Sequence, residues 1–161
     1  MDPTLAVKEI APLEFPKGGV RLRKVPDPVL SQVAHECLEE ELAEIVDLAT
    51  LMYEIMHHEK GIGLAANQVG VPKRLIVGHV GHQRFALINP YVAKITAQTC
   101  KLQEGCLSVP GQHIEITRPK QVVIRGLSLS WEPVKIKARG ILAACLQHEI
   151  DHLNGITILE K

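Results

Sequence analysis

His148, Glu149 and His152 stand in the spacing His-Glu-x-x-His close to the end of a 161-residue chain. Residues four apart share one face of a helix, so both imidazoles can reach one divalent cation while Glu149 is aimed at a water the cation acidifies. Two histidines leave the ligand set incomplete. A metzincin would continue to a third histidine at position 158; Gly155 stands where that extension wants glycine, but Ile158 replaces the ligand. Only Ile156 to Lys161 follow the motif's turn, too little for a later helix carrying a glutamate. The third ligand is therefore expected upstream.

The elements that must carry these groups can be read from periodicity. From Glu36 to His58 apolar residues recur every three or four positions (Leu38, Leu42, Ile45, Ala49, Met52, Met56), with acidic residues between them, which predicts a long amphipathic helix ended by Lys60-Gly61. Short β-rich runs follow at Arg74 to Val77, Arg84 to Ile88, Tyr91 to Ile95, Ile114 to Thr117, Gln121 to Leu127 and Val134 to Lys137, punctuated by Asn89-Pro90, Pro110-Gly111, Arg118-Pro119 and Glu132-Pro133. A second helix is predicted from about Ala138 to Leu153, stopped by Asn154-Gly155. Apolar flanks at Leu146, Ile150 and Leu153 place the histidines partly inside, where unpaired polar groups are costly and a metal removes the cost. Helix, strands, helix implies an α+β fold with antiparallel sheets around the metal-bearing C-terminal helix.

Composition sets bounds. A 46% hydrophobic content over this length suits one core: residues 1–20, with Pro3, Pro12, Pro16, Gly18 and Gly19, are expected to form an extended arm and residues 21–161 a single domain. Eighteen basic residues balance eighteen acidic ones without a basic run, so the global charge favours neither nucleic acid nor a membrane surface and leaves room only for small local patches. No continuous apolar stretch opens the chain or could span a bilayer, and Cys37, Cys100, Cys106 and Cys145 form no CxxC pair. Free thiols in a reducing, cytoplasmic setting are expected.

Two further segments stand out. Glu104-Gly105-Cys106-Leu107-Ser108 sets a thiol in a segment bounded by Gly and Pro, and Gly61-Ile62-Gly63-Leu64-Ala65-Ala66-Asn67-Gln68 is a small-residue loop that backbone or ligand can approach closely. Together with the helix motif, these stretches resemble the three signatures of peptide deformylases, GxGLAAxQ, EGCLS and HExDH, in that family's order. The likeness extends through Pro26-Asp27-Pro28-Val29-Leu30 and Leu87-Ile88-Asn89-Pro90 and covers roughly residues 20 to 158.

The resemblance implies hydrolytic removal of the N-formyl group from the initiator methionine of nascent chains, at one divalent metal. It makes Cys106, His148 and His152 the ligands, Glu149 the proton carrier, and Gln68 with the Leu107 amide the donors to the reacting oxygen. The backbone of Gly61, Ile62 and Gly63 would pair with the substrate like an added strand. Leu102, Ile141 and Cys145 would line the methionine pocket, although core packing is an equal reading for Cys145. Zinc is the default for a Cys/His₂ site, whereas the resemblance implies ferrous iron in the cell, replaceable by nickel or cobalt.

Two departures from common family patterns are His113, where many members carry arginine, and the end of the chain at Lys161, where many bacterial members continue into a ribosome-docking helix. Formylmethionyl nascent peptides are the expected partners, with at most transient ribosome proximity and neither nucleic acid nor membrane. A zinc peptidase is the competing enzyme reading, weakened by the missing downstream ligand. A non-catalytic, metal-stabilised binding module is weakened by offering three ligands where structural zinc is closed by four.

Overall fold

The computed structural model describes residues 19–161; most of the expected arm at 1–20 lies outside them. Helix α1 runs Leu42–His58 and helix α2 Gly140–Leu153, with strands β1 Gly63–Ala65, β2 Leu75–Val80, β3 Gln83–Ile95, β4 Thr99–Cys106, β5 Val109–Pro119, β6 Gln121–Leu127 and β7 Pro133–Arg139. Five strands form an antiparallel sheet in the order β1-β2-β3-β6-β7, and β4 with β5 make a separate two-stranded sheet. The expected α+β class is the one observed.

Strand alternation explains why two helices suffice. Along β1 and β2, Leu64, Leu75 and Val77 face one way, into a cluster with Ile45, Leu48, Met52 and Met56 of α1. Ala65 and Ile76 face the other way, into a cluster with Cys145, Leu146, Ile150 and Leu153 of α2. On one face α2 packs across the sheet from β1 to β7, whereas on the other α1 covers only the β1-β2 end. Each fully buried Leu, Ile or Met of these layers contributes about 1.5–3 kcal/mol against exposure. Gly78 is imposed by its cross-strand partner, because a Cβ there would stand 2.2 Å from the Phe85 ring.

Several boundaries differ from the sequence expectation. The first helix begins at Leu42 rather than Glu36, because Glu39–Glu41 form a 3₁₀ turn; there the buried Glu41 carboxylate accepts the Leu38 N–H at 2.9 Å and pairs with Lys73 at 2.7 Å. Arg84 to Ile88 and Tyr91 to Ile95 are one strand. Asn89, at φ 51°, takes up a register shift between Ile88 and Tyr91, so the Asn89-Pro90 pair is an irregularity inside β3 and not a turn. Strand β4 has no counterpart among the expected runs, and β5 extends well beyond Ile114 to Thr117 on both sides. Lys60, at φ 59°, supplies the left-handed residue after α1, while Gly61 answers a different need: a Cβ there would meet Leu107 at 2.7 Å.

Candidate metal centre

Helix α2 begins at Gly140, whose φ of 63° lets the chain turn out of β7. It ends as expected at Asn154-Gly155: the Gly155 N–H donates to His152 O and the Ile156 N–H to Asp151 O, with Gly155 at φ 75°. Arg74 donates to the Leu153 carbonyl and to Asn154 Oδ1, both at 3.0 Å, pinning that end to the neck of β2. His148, Glu149 and His152 are all buried on this anchored helix.

The thiol arrives from the other sheet. Cys106 and Val109 pair across a tight turn made by Leu107 and Ser108, and a register shift between Glu104 and Cys106 redirects the last residue of β4. Cys106 Sγ then lies 3.3 Å from His152 Nε2, which lies 3.1 Å from His148 Nε2. These three ligand atoms converge as a group that could hold a metal ion. A tetrahedral cation with nitrogen ligands at about 2.0–2.1 Å and sulfur at about 2.3 Å wants ligand atoms about 3.3–3.6 Å apart. The donor set therefore fits.

Glu104 reinforces the centre. Its Oε1 lies 3.0 Å from His148 Nδ1, which fixes the ring with Nε2 toward the ligand cluster. The buried Arg118 guanidinium forks onto both Glu104 oxygens and also reaches Asp151 Oδ2 at 2.9 Å. Burial alone would raise the Glu104 carboxyl, but the hydrogen bonds from Arg118 and His148 bring it down to about 2. His148 is likewise opposed by burial and yet pushed up to about 10 by the Glu149, Cys106 and Glu104 groups around it. Burial and its His148 neighbour drive His152 well below the usual imidazole range. Anionic groups pressing positive charge onto one point, beside an imidazole kept neutral, is the electrostatics of a cation site.

Glu149 Oε1 lies 3.8 Å from His148 Nε2, and Oε2 is buried without a protein partner. Burial raises this carboxyl to about 7. Gln68 sits in the 3₁₀ turn Ala66–Val69, closed by Gly70 at φ 86°. Its Oε1 accepts the Ala65 N–H at 2.9 Å, so its Nε2 is the atom presented to the centre, 3.1 Å from Ser108 Oγ and 3.7 Å from Cys106 Sγ. Gly61, Ile62 and Gly63 border a cleft of about 610 Å³ that reaches Leu102, Cys106, Leu107, Ile141, Cys145 and Glu149. Ile62 and Ile141 stand at its mouth, 48% and 61% exposed, while Cys145 is buried with Sγ 3.7 Å from Ile62 O.

Eleven of the twelve residues singled out from the sequence line one cleft, and the twelfth, His152, lies against Cys106 and His148 behind it. The sequence alone assigned no part to Glu104, Ser108, Asp151 and Arg118. The available signal was that Glu104 and Asp151 lie within the motifs and a carboxylate, when buried, needs a cationic partner; Ser108 and Arg118 carry no local signal of their own. The His57 and His79 rings are also neighbours, with nitrogens 3.3 Å apart at the exposed end of α1, but among the described residues no third ligand joins them. None of the described helices is long and apolar enough to cross a membrane.

A buried HExxH helix meeting one upstream thiol beside a peptide-sized cleft defines a metallohydrolase. The polypeptide deformylase family matches residues 20–161. A peptide deformylase of Carboxydothermus hydrogenoformans is 43% identical over 138 residues, covering 86% of this chain and 90% of that one. Among solved structures, the deformylase of Vibrio parahaemolyticus bacteriophage VP16T in complex with actinonin superposes with a TM-score of 0.82 at 42% identity, covering 86% of this chain and 99% of the other. A class I type b peptide deformylase from Acinetobacter baumannii with Met-Ala-Ser bound gives 0.85 at 30% identity, covering 88% and 98%. The chain belongs to the polypeptide deformylase family, metal-dependent enzymes that remove the formyl group from nascent peptides.

Proposed function

We propose that Cys106, His148 and His152 hold a single ferrous ion and that Glu149 carries the proton of the deformylation step. The observation behind this reading is the buried, unpartnered Glu149 Oε2 beside three converging ligand atoms. When bound, the cation supplies Lewis acidity, making water acidic enough to attack at neutral pH and polarising the formyl carbonyl. Glu149 takes the proton of the attacking water and returns one to the methionine nitrogen as the formyl C–N bond breaks and formate leaves. Gln68 Nε2 and the Leu107 N–H donate to the oxygen that gains charge in the transition state. The backbone at Gly61, Ile62 and Gly63 aligns the peptide as an added strand.

The methionine side chain is assigned to the cleft floor at Leu102 and Cys145, with Ile62 and Ile141 closing over it. The Met-Ala-Ser bound to the Acinetobacter baumannii relative supports a methionyl peptide as the ligand. Imidazole and thiolate also accept zinc, nickel or cobalt, so ferrous iron is the cellular choice proposed and the others substitutes. Four free thiols fit a reducing cytoplasm, where the enzyme would meet nascent chains near the ribosome.

The test is anaerobic purification with metal analysis, followed by incubation with formyl-Met-Ala-Ser, acetyl-Met-Ala-Ser and formyl-Gly-Ala-Ser, measuring formate and new amines separately. Fast formate release from the first substrate alone is expected, with internal bonds intact. Fully metallated protein that releases no formate, or that cuts internal bonds, overturns the assignment.

A further inference from the structure

The balanced charge of the chain conceals a one-sided sheet face. Val122 and Ile124 of β6 and Ala138 and Ile136 of β7 pack toward α2, so the residues alternating with them point the opposite way. On that opposite side Lys94 of β3, Val123 of β6 and Lys137 of β7 lie in one cross-strand row, and Tyr91, Arg125 and Lys135 in the next. Arg139, opposite Gln121, extends the pattern. Lys94, Arg125, Lys135, Lys137 and Arg139 are all exposed, and among the described residues none of the five has an ion-pair partner. A groove of about 430 Å³ runs between Lys94, Thr96, Gln121, Lys137 and Arg139. It shares no residue with the catalytic cleft.

From these observations we propose that the β3-β6-β7 face is a docking surface for the phosphate backbone of structured RNA. The argument is charge complementarity. Strand spacing sets Arg125 and Lys135 about 5 Å apart, Lys94 and Lys137 about 10 Å apart across Val123, and Lys135, Lys137 and Arg139 about 7 Å apart along β7, a band of positive charge with the exposed Tyr91 ring at its border. Lysines on the edge strand β7 alone would be explained as a guard against strand addition. Lys94 and Arg125 stand on the interior strands β3 and β6, where no edge needs guarding. A polyanion gains from each contact by release of its condensed counterions. The recognition is of backbone, without sequence preference, and would hold the cleft near RNA-rich particles that present nascent chains.

The experiment is fluorescence anisotropy of a labelled RNA hairpin titrated with metal-loaded enzyme across a series of KCl concentrations. Five phosphate contacts predict a log–log salt slope of about −3.5 to −4.5, so a fourfold rise in salt weakens binding on the order of 10²-fold. Arg125→Gln combined with Lys137→Gln should reduce the slope by about 1.5, whereas Lys101→Gln, on β4, should leave it unchanged. Lys137→Arg should retain full binding. Turnover of formyl-Met-Ala-Ser should match wild type in every variant, which separates failure of this surface from failure of the catalytic assignment. No binding at low salt, equal weakening by Lys101→Gln, or binding only to vesicles containing phosphatidylglycerol would overturn the proposal.

Discussion

Gly63 lies so close to Glu149 that a Cβ built on it would stand 2.9 Å from Glu149 Oε1, and 2.7 Å from Cys145 Sγ. Glu149 is buried, with only its cleft side open, so crowding from Gly63 would push the carboxylate out of its place beside the ligand atoms. Gly63→Ala should therefore retain metal and lower kcat roughly 10- to 100-fold, the scale of a sub-ångström to one-ångström misplacement of a reacting group. Metal analysis and steady-state kinetics on one preparation check this; unchanged kcat would mean the carboxylate position is not critical.

The roles proposed for Glu149 and Gln68 predict different losses. Glu149→Ala is expected to keep its metal and lose nearly all turnover, since the side chain is aimed at the centre without being one of its three converging ligands. Gln68→Leu should keep metal and lose about 10²–10³ in kcat. Circular dichroism and metal content confirm that neither change acts through the fold.

The Glu104 and Arg118 pair tests whether the charge network is structural or tunes the metal. Arg118→Met leaves the buried Glu104 carboxylate with His148 as its remaining partner, while the half-buried Asp151 keeps Lys161, and should cost about 3–5 kcal/mol in urea unfolding. Glu104→Gln keeps the shape but weakens the hold on the His148 ring, and should reduce metal affinity about 10- to 100-fold. A chelator competition series measures that directly.

The four thiols should separate by chemistry. Burial pushes the Cys37 thiol up to about 12, and burial with Glu149 nearby pushes Cys145 well above its ordinary value, so neither offers thiolate at pH 8. Iodoacetamide on the metal-loaded protein is expected to modify Cys100 alone, and chelation should expose Cys106 as a second site. Cys106→Ala should lose metal; Cys37→Ala and Cys100→Ala should not. Peptide mapping by mass spectrometry distinguishes these outcomes.

Much of this centre is legible in the sequence because its parts are local. The i, i+4 spacing of His148 and His152 is a property of one helix, and Asn154-Gly155 is the cap chemistry of its end. The strand carrying Cys106 is not legible there, since exposed Lys101 and Gln103 alternate with half-buried Cys100 and Leu102 and with a buried but charged Glu104, which gives a weak period-two signal. The Asn89-Pro90 pair reads as a break because the residue types for a turn and for an irregularity inside a strand are the same. Arg118 escapes for another reason: a buried cation is defined by partners on β4 and α2, and no local pattern announces partners that distant.

The small sheet meets α2 through a line of polar contacts: Cys106 to His152, Glu104 to His148 and Arg118 to Asp151. Such a seam is a line along which the molecule can open without global unfolding. A bound cation acts as a rivet across it, because metal binding is favourable only when both halves are in place. Amides of β4 and β5 should then exchange with solvent at a rate set by metal occupancy, while those of α2, deep between sheet and seam, exchange only when the whole fold lets go. Loss of the ion would thus cost more than chemistry: it would loosen the wall of the cleft that grips the peptide.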